Sequence, residues 1–394
     1  MSNKPRVAGV GMIPFTKPGQ SEDWDVMGEK AVRLALQDAG IGYEQVQQAF
    51  AGYVYGDTTA GQSVLYRVGL SGIPIVNVNN ACSTGSTALY LARQMVEAGV
   101  ADCVLAVGFE QMAPGAIGAV FSDRKYIGEC MGKAMLDLQG FDPAVPFAAQ
   151  QFGGAGADYQ KRYGAKDETF ARISVKARAH AANNPLAIFR DPVTLEEVMT
   201  SKHLYGPVTR LQACPPTCGA AAAVIVSPAF AAKHGLNAAV EIKGQAMATD
   251  TPSSFDSGSM IKVVGFDMAK EAARQAYEAA GVSPQDAQVV ELHDCFSVNE
   301  LITYESLGLC PEGGAEQFIH DGDNTYGGRY VVNPSGGLLS KGHPLGATGL
   351  AQCYELTHQL RGTADKRQVD GARLAIQHNM GLGGACVVTI YGRA

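Results

Sequence analysis

The chain has 394 residues, 46% of them hydrophobic and 18% charged, with 47 glycines spread along its length. That is more than one hydrophobic core holds, so two domains or one large duplicated domain are expected. The net charge of -7 and pI near 5.6 exclude the broadly basic face that nucleic acid rewards. The composition is that of a globular protein and not of a disordered chain.

Taken from the N-terminus, MSNKPRVAGVGMIPF is too short and too weakly apolar for a signal peptide, and the nine cysteines are scattered and odd in number. Both features point to a reducing compartment. The helical pattern at 29–41 (EKAVRLALQDAGI) recurs at 270–282 (KEAARQAYEAAGV). Ala31, Arg33, Ala35, Ala39 and Gly40 match Ala272, Arg274, Ala276, Ala280 and Gly281 at one constant offset. Further on, CSTGSTAL from Cys82 matches HPLGATGL from His343, with Gly85, Thr87 and Leu89 facing Gly346, Thr348 and Leu350. Each first helix is followed by an apolar run (46–55, 287–292), and each glycine-rich helix start by another (103–109, 374–377) and a closing strand (220–226, 385–391). Strand and helix alternating twice over predict two α/β halves built by duplication. Residues 121–210 have no counterpart in the second half and read as an insertion, of a size that commonly shapes a substrate site. It carries Arg124, Lys125, Lys161, Arg162, Lys176, Arg178 and Arg190. Solvated helix faces are the commoner use of such residues, and phosphate contacts the rarer one.

Four elements carry chemistry. At 76–88 (VNVNNACSTGSTA) a strand-like run meets Cys82 and then a helical stretch, which places the thiol at a helix N-terminus, where the dipole favours thiolate. A buried inert cysteine is the competing reading. His343, its repeat partner, is expected to meet Cys82 as a base if a pseudo-twofold axis joins the two helix starts. Taken alone it is a turn residue before Pro344. In 291–301 (ELHDCFSVNEL), alternation along an extended segment puts His293 and Cys295 on one face and Asp294 on the other. No metal site is expected, because the nearest further ligand pair is Cys214 and Cys218 across a proline-rich turn. Finally, 376–385 (IQHNMGLGGA) sets His378 in an expected glycine loop whose Met380, Gly381, Gly383 and Gly384 could aim N–H groups at a carbonyl oxygen. The apolar stretch 372–391 is broken by Arg373, Gln377, His378 and Asn379, so no membrane span is expected there.

In these elements the chain resembles the thiolases, and the sterol carrier protein type in particular. The likeness extends to NNP at 183–185, FRD at 189–191 and GDNTYG at 322–327. The resemblance implies an α/β thiolase fold, a duplicated five-layer αβαβα sandwich with an inserted loop domain. The division expected is an N-terminal half at 1–120 completed by 211–230, a loop domain at 121–210 and a C-terminal half at 237–394. It further implies a 3-oxoacyl-coenzyme A substrate, coenzyme A as co-substrate, no permanently bound cofactor, and a homodimer or dimer of dimers. The roles implied are Cys82 as nucleophile, His343 as base, and His343 with His293 as donors to an enolate. Cys295 is the acid/base thiol, and His378 stands where most thiolases carry a Cys-x-Gly element. No lipid-transfer domain is expected after Ala394, and the last residues do not read as a peroxisomal Ser-Lys-Leu tail. The expectation is a bacterial cytoplasmic enzyme, with any carrier role left to a separate lipid-transfer protein. The alternatives are a thiolase-like retro-aldolase acting on steroid side chains, a 3-oxoacyl synthase, and a non-catalytic acyl- or sterol-binding subunit.

Overall fold

Runs such as 219–226 (GAAAAVIV), apolar at every position, suit strands covered on both faces. The structure, a computed structural model, describes residues 4–115, 118, 123, 125 and 128–394. The expected start of the insertion at residue 121, and Arg124, lie outside the described residues.

In chain order the strands among the described residues are β1 (Arg6–Met12), β2 (Gln48–Gly52), β3 (Ile75–Val78), β4 (Cys103–Glu110), β5 (His203–Tyr205) and β6 (Val208–Thr209). There follow β7 (Gly219–Val226), β8 (Val240–Ala248), β9 (Val289–Glu291), β10 (Val331–Val332), β11 (Leu374–Gly381) and β12 (Ala385–Arg393). β5 and β6 form a hairpin apart, and the others form one sheet in the order β10-β9-β11-β12-β8-β1-β7-β4-β2-β3. Read outward from its middle, each side gives the same order: β1-β7-β4-β2-β3 matches β8-β12-β11-β9-β10. The duplication read from the helices is therefore a duplication of topology. The two sides are not separate sheets, because Arg6 pairs with Glu241 and Val7 with Val240 across the seam.

The first repeated helix pair, Trp24–Ala39 and Phe266–Ala280, lies outside, on β1 and β7 and on β8 and β12 respectively. The second pair, Thr84–Glu97 and Thr348–Arg361, packs together and touches strands of both halves. It is therefore the middle layer of an αβαβα stack. Insertion helices Phe147–Tyr163 and Asp167–Ala181 pack on the second half, where Phe152 stacks on Phe296 with centroids 4.9 Å apart. Lys176 there forms a buried ion pair with Glu300. No helix among the described residues is long and apolar enough to cross a membrane.

Where the middle helices begin, two backbones touch. A Cβ on Gly346 would lie 2.5 Å from Phe109 O and 2.7 Å from Gly52 O, and one on Gly85 2.7 Å from Gly346 O. A Cβ on Gly108 would fall on Gly346 O, which no rotamer change relieves. Gly108→Ala is therefore expected to destabilise the protein by at least about 2 kcal/mol through overpacking. Gly132→Ala, inside a helix with only ordinary contact at 3.7 Å, should gain about 0.5–1 kcal/mol from lost chain entropy. Urea unfolding of both variants checks this, and equal midpoints would refute the close approach.

Candidate active site

The turn that presents Cys82 is held by its own polar side chains. Ser83 Oγ donates to Asn80 O at 2.8 Å, and Thr84 Oγ1 donates to Ala81 O at 2.6 Å. Ala81 is left-handed at φ 48°, a conformation costing about 1–3 kcal/mol that persists only where surroundings enforce it. Helix Thr84–Glu97 begins two residues after Cys82, so the thiol sits just ahead of the helix start and is 6% exposed. His343 aligns with it in the repeat, but its helix begins only at Thr348. It stands in the preceding loop, where its N–H donates to Thr217 Oγ1 at 3.1 Å.

The structure brings Cys82, His293 and His343 together: one donor atom of each lies within 4.8 Å of the other two. The imidazole rings of His293 and His343 meet edge to face, with centroids 5.0 Å apart. Hydrogen bonds assign their tautomers. Thr348 Oγ1 donates to Pro344 O at 3.0 Å, so at 2.6 Å it accepts from His343 Nδ1–H. This leaves His343 Nε2 as a lone-pair acceptor, buried and without a hydrogen-bond partner. Asn379 Nδ2 donates to Cys82 O at 3.1 Å, and the same amide group donates to His293 Nδ1 at 3.0 Å. His293 therefore carries its proton on Nε2. One imidazole accepts and its neighbour donates.

Burial, with Glu110 adding to it, pushes the Cys82 thiol up to about 12, although Leu382 N–H and its own N–H reach the sulfur. Burial holds His343 down to about 3. Both shifts favour a neutral thiol beside a neutral imidazole. The same three donors form a zinc-like set, but Asn379 fixes His293 as a donor at Nε2, which suits an anionic oxygen better than a metal.

Cys295 lies close enough for both Cys82 and Cys214 to raise its thiol, after burial as the main cause. Asp294 points away, accepting Leu338 N–H at 2.6 Å, as the alternation predicts. His378 is not in a loop. It lies in β11, opposite Val388 of β12, with β9 pairing the same strand on its other edge as far as Gln377, one residue earlier. The glycines suggest a turn, but antiparallel pairing with β12 continues the strand through Gly381, and only Leu382, Gly383 and Gly384 connect β11 to β12. His378 Nδ1 accepts the His293 backbone N–H at 3.4 Å, and its ring supports His293 from behind. Met380 packs towards Gly265, while Gly381 lies against Asn80 and Ser83 of the nucleophile turn. Gly383 and Gly384 have φ values of 102° and 104° and turn the chain beside Leu382.

Sequence reading missed Asn379 and the segment from Ala213 to Cys218. Ala213 bridges Phe296, Cys214 N–H donates to Cys295 O at 2.9 Å, and Pro216 bridges His343. This segment braces both catalytic loops. Asn379 was within reach of the argument, because two-residue alternation puts Gln377, Asn379 and Gly381 on the face of the middle helices. Cys218 precedes β7 and is engaged by Met112, whose N–H lies 3.2 Å from its sulfur. Cys386 is fully buried in β12.

Residues 7–204 match the thiolase N-terminal domain family, and residues 252–393 match the family described as thiolase C-terminal domain-like. Sterol carrier protein 2 of Homo sapiens is 56% identical over 389 residues, covering 98% of this chain and 71% of that protein. Benzoylsuccinyl-CoA thiolase subunit BbsB of Thauera aromatica is 36% identical over 391 residues, 97% of this chain and 96% of that one. Among solved structures, the Ltp2-ChsH2(DUF35) aldolase superposes with a TM-score of 0.84 at 25% identity, covering 99% and 98% of the two chains. Human mitochondrial 3-ketoacyl-CoA thiolase in complex with CoA gives 0.74 at 21% identity, covering 100% and 98%, a likeness of fold. With both thiolase domains matched in order and more than half its residues shared with a full-length relative, the chain belongs to the thiolase family.

Proposed function

We propose that the protein cleaves 3-oxoacyl-coenzyme A with coenzyme A through an acyl-enzyme on Cys82, releasing acetyl- or propionyl-coenzyme A and a shortened acyl-coenzyme A. The observation that carries this reading is the convergence of Cys82, His293 and His343 within 4.8 Å, with opposite hydrogen-bonding senses on the two imidazoles. Cys82 attacks the 3-oxo carbon as its proton passes to His343 Nε2. The carbon–carbon bond breaks, its electron pair forming a thioester enolate whose oxygen receives the new His343 Nε2–H and His293 Nε2–H. Cys295 gives its proton to the enolate carbon. The resulting Cys295 thiolate takes the proton of an incoming coenzyme A thiol, which then attacks the acyl-enzyme. The tetrahedral oxyanion of that step sits on Cys82 N–H and Leu382 N–H, and Cys82 leaves to recover its proton from His343. His378 acts by holding His293 in place.

The likeness to an aldolase gives a second reading, carbon–carbon cleavage without a nucleophilic thiol. The enclosed Cys82 beside an acceptor imidazole favours acyl transfer. A panel of 3-oxoacyl-coenzyme A substrates, varied in chain length, 2-methyl branching and sterol side chain, assayed with and without coenzyme A, separates the two. Cleavage independent of coenzyme A would sink the acyl-transfer reading.

Cys82→Ala is expected to abolish turnover without unfolding the protein. Intact-mass spectrometry should show an acyl adduct on wild type and none on the variant, and an adduct elsewhere would reassign the nucleophile. Because the resting thiol is held at about 12, its alkylation by iodoacetamide should rise about tenfold per pH unit from about pH 6 to about pH 9. A flat profile there would show a preformed thiolate–imidazolium pair. His343→Ala should lower turnover by about 10²–10⁴; near-wild-type turnover in the folded variant would remove His343 as the base. Cys295→Ala should still form the acyl-enzyme from a simple acyl-coenzyme A, yet fail to exchange the α-protons of acetyl-coenzyme A with deuterated solvent. Cys386→Ala should exchange normally, and persistent exchange in Cys295→Ala would refute its role.

A further inference from the structure

Glu110 ends β4 and is 1% exposed. A buried carboxylate usually has a cation beside it, but among the described residues its partners are backbone amides alone. Oε1 accepts Tyr55 N–H at 3.0 Å, and Oε2 accepts Val54 N–H and Gly346 N–H, each also at 3.0 Å. The first two amides follow β2 in the nucleophile's half. The third belongs to the loop that carries His343, three residues after it. The same loop is seated by the contact of Gly346 with Phe109 O and Gly52 O. One carboxylate thus spans the junction across which Cys82 and His343 must meet. An amide side chain cannot replace it fully, because three donors face it and a Gln would turn an NH2 group towards one of them.

The charge has a second effect. Glu110 is the electrostatic partner that, after burial, raises the Cys82 thiol. Burial raises Glu110 itself to about 7 against the pull of its three amides, so it is ionised in mildly alkaline assays.

We infer that Glu110 is a positioning residue: it ties the His343 loop to the nucleophile's half and sets a negative charge near Cys82, so that the thiol keeps its proton until His343 accepts it. The effect on turnover rests on the acyl-enzyme reading above, whereas the effect on thiol reactivity needs no substrate.

The test uses the full chain, with Glu110→Gln and Glu110→Asp. Alkylation of Cys82 by iodoacetamide, followed by peptide mass spectrometry at about pH 8, should speed up about 3–10-fold in Glu110→Gln, because a like charge has gone. Its kcat for 3-oxoacyl-coenzyme A cleavage should nevertheless fall at least about tenfold, with KM for coenzyme A little changed, since the base is no longer held in line. Glu110→Asp keeps the charge but withdraws it from the amides. It should alkylate as wild type while losing kcat, and it decides the matter if Glu110→Gln does not fold. Alkylation at the wild-type rate in a folded Glu110→Gln, or full turnover in Glu110→Asp, would overturn the inference. Faster alkylation of Glu110→Gln, with no cleavage by wild type, would uphold the placement of the charge and sink the acyl-transfer reading instead.

Discussion

At Gly108 and Gly346 the two halves approach each other more closely than any side chain permits, and the geometry of the site descends from that contact. It sets where helices Thr84–Glu97 and Thr348–Arg361 begin, and so how far Cys82 lies from His343. A methyl group there would push apart the two loops that carry Cys82 and His343. The surrounding sheet, paired across its seam at Arg6–Glu241 and Val7–Val240, holds the halves in register. Backbone contact at the middle layer sets the finer distance. Rigid packing of this kind transmits small displacements to the site, because protein interiors resist compression.

Around that contact the chain spends polar groups on orientation. Thr348 and Pro344 fix which nitrogen of His343 is free, and Asn379 fixes which nitrogen of His293 is protonated. The two rings are chemically alike and differ in use because their partners differ. Burial keeps Cys82 and His343 neutral at rest, which lowers the chance that the thiol reacts with something other than substrate.

Much of this is legible in the sequence, and for stated reasons. The duplication survives as matched helices and matched glycines, and aligning the repeats puts His343 opposite Cys82 without any structure. Period-two alternation separates His293 and Cys295 from Asp294. The failures are equally physical. The 376–385 stretch carries turn residues, so it reads as a loop, yet the long antiparallel pairing with β12 overrides local preference and makes His378 a strand residue. Asn379 was passed over because an amide has no titration of its own to mark it. Glu110 reads as the polar end of an apolar run, and nothing local shows that three amides from distant segments converge on it. The brace formed by Ala213 to Cys218 is likewise a matter of long-range contact.

The division of the site between the two halves has a consequence for how the protein is made. Cys82 is synthesised long before His293, His343 and Leu382, so the two imidazoles and the Leu382 amide that gather around it come from the later half. During synthesis the early half can complete β1, β2, β3 and β4, but the thiol then lacks the two imidazoles beside it and much of its cover. Pairings of such sequence separation form late in folding. The emerging chain therefore carries a less covered cysteine without its neighbouring imidazoles, and the three-residue cluster exists only once the second half has docked.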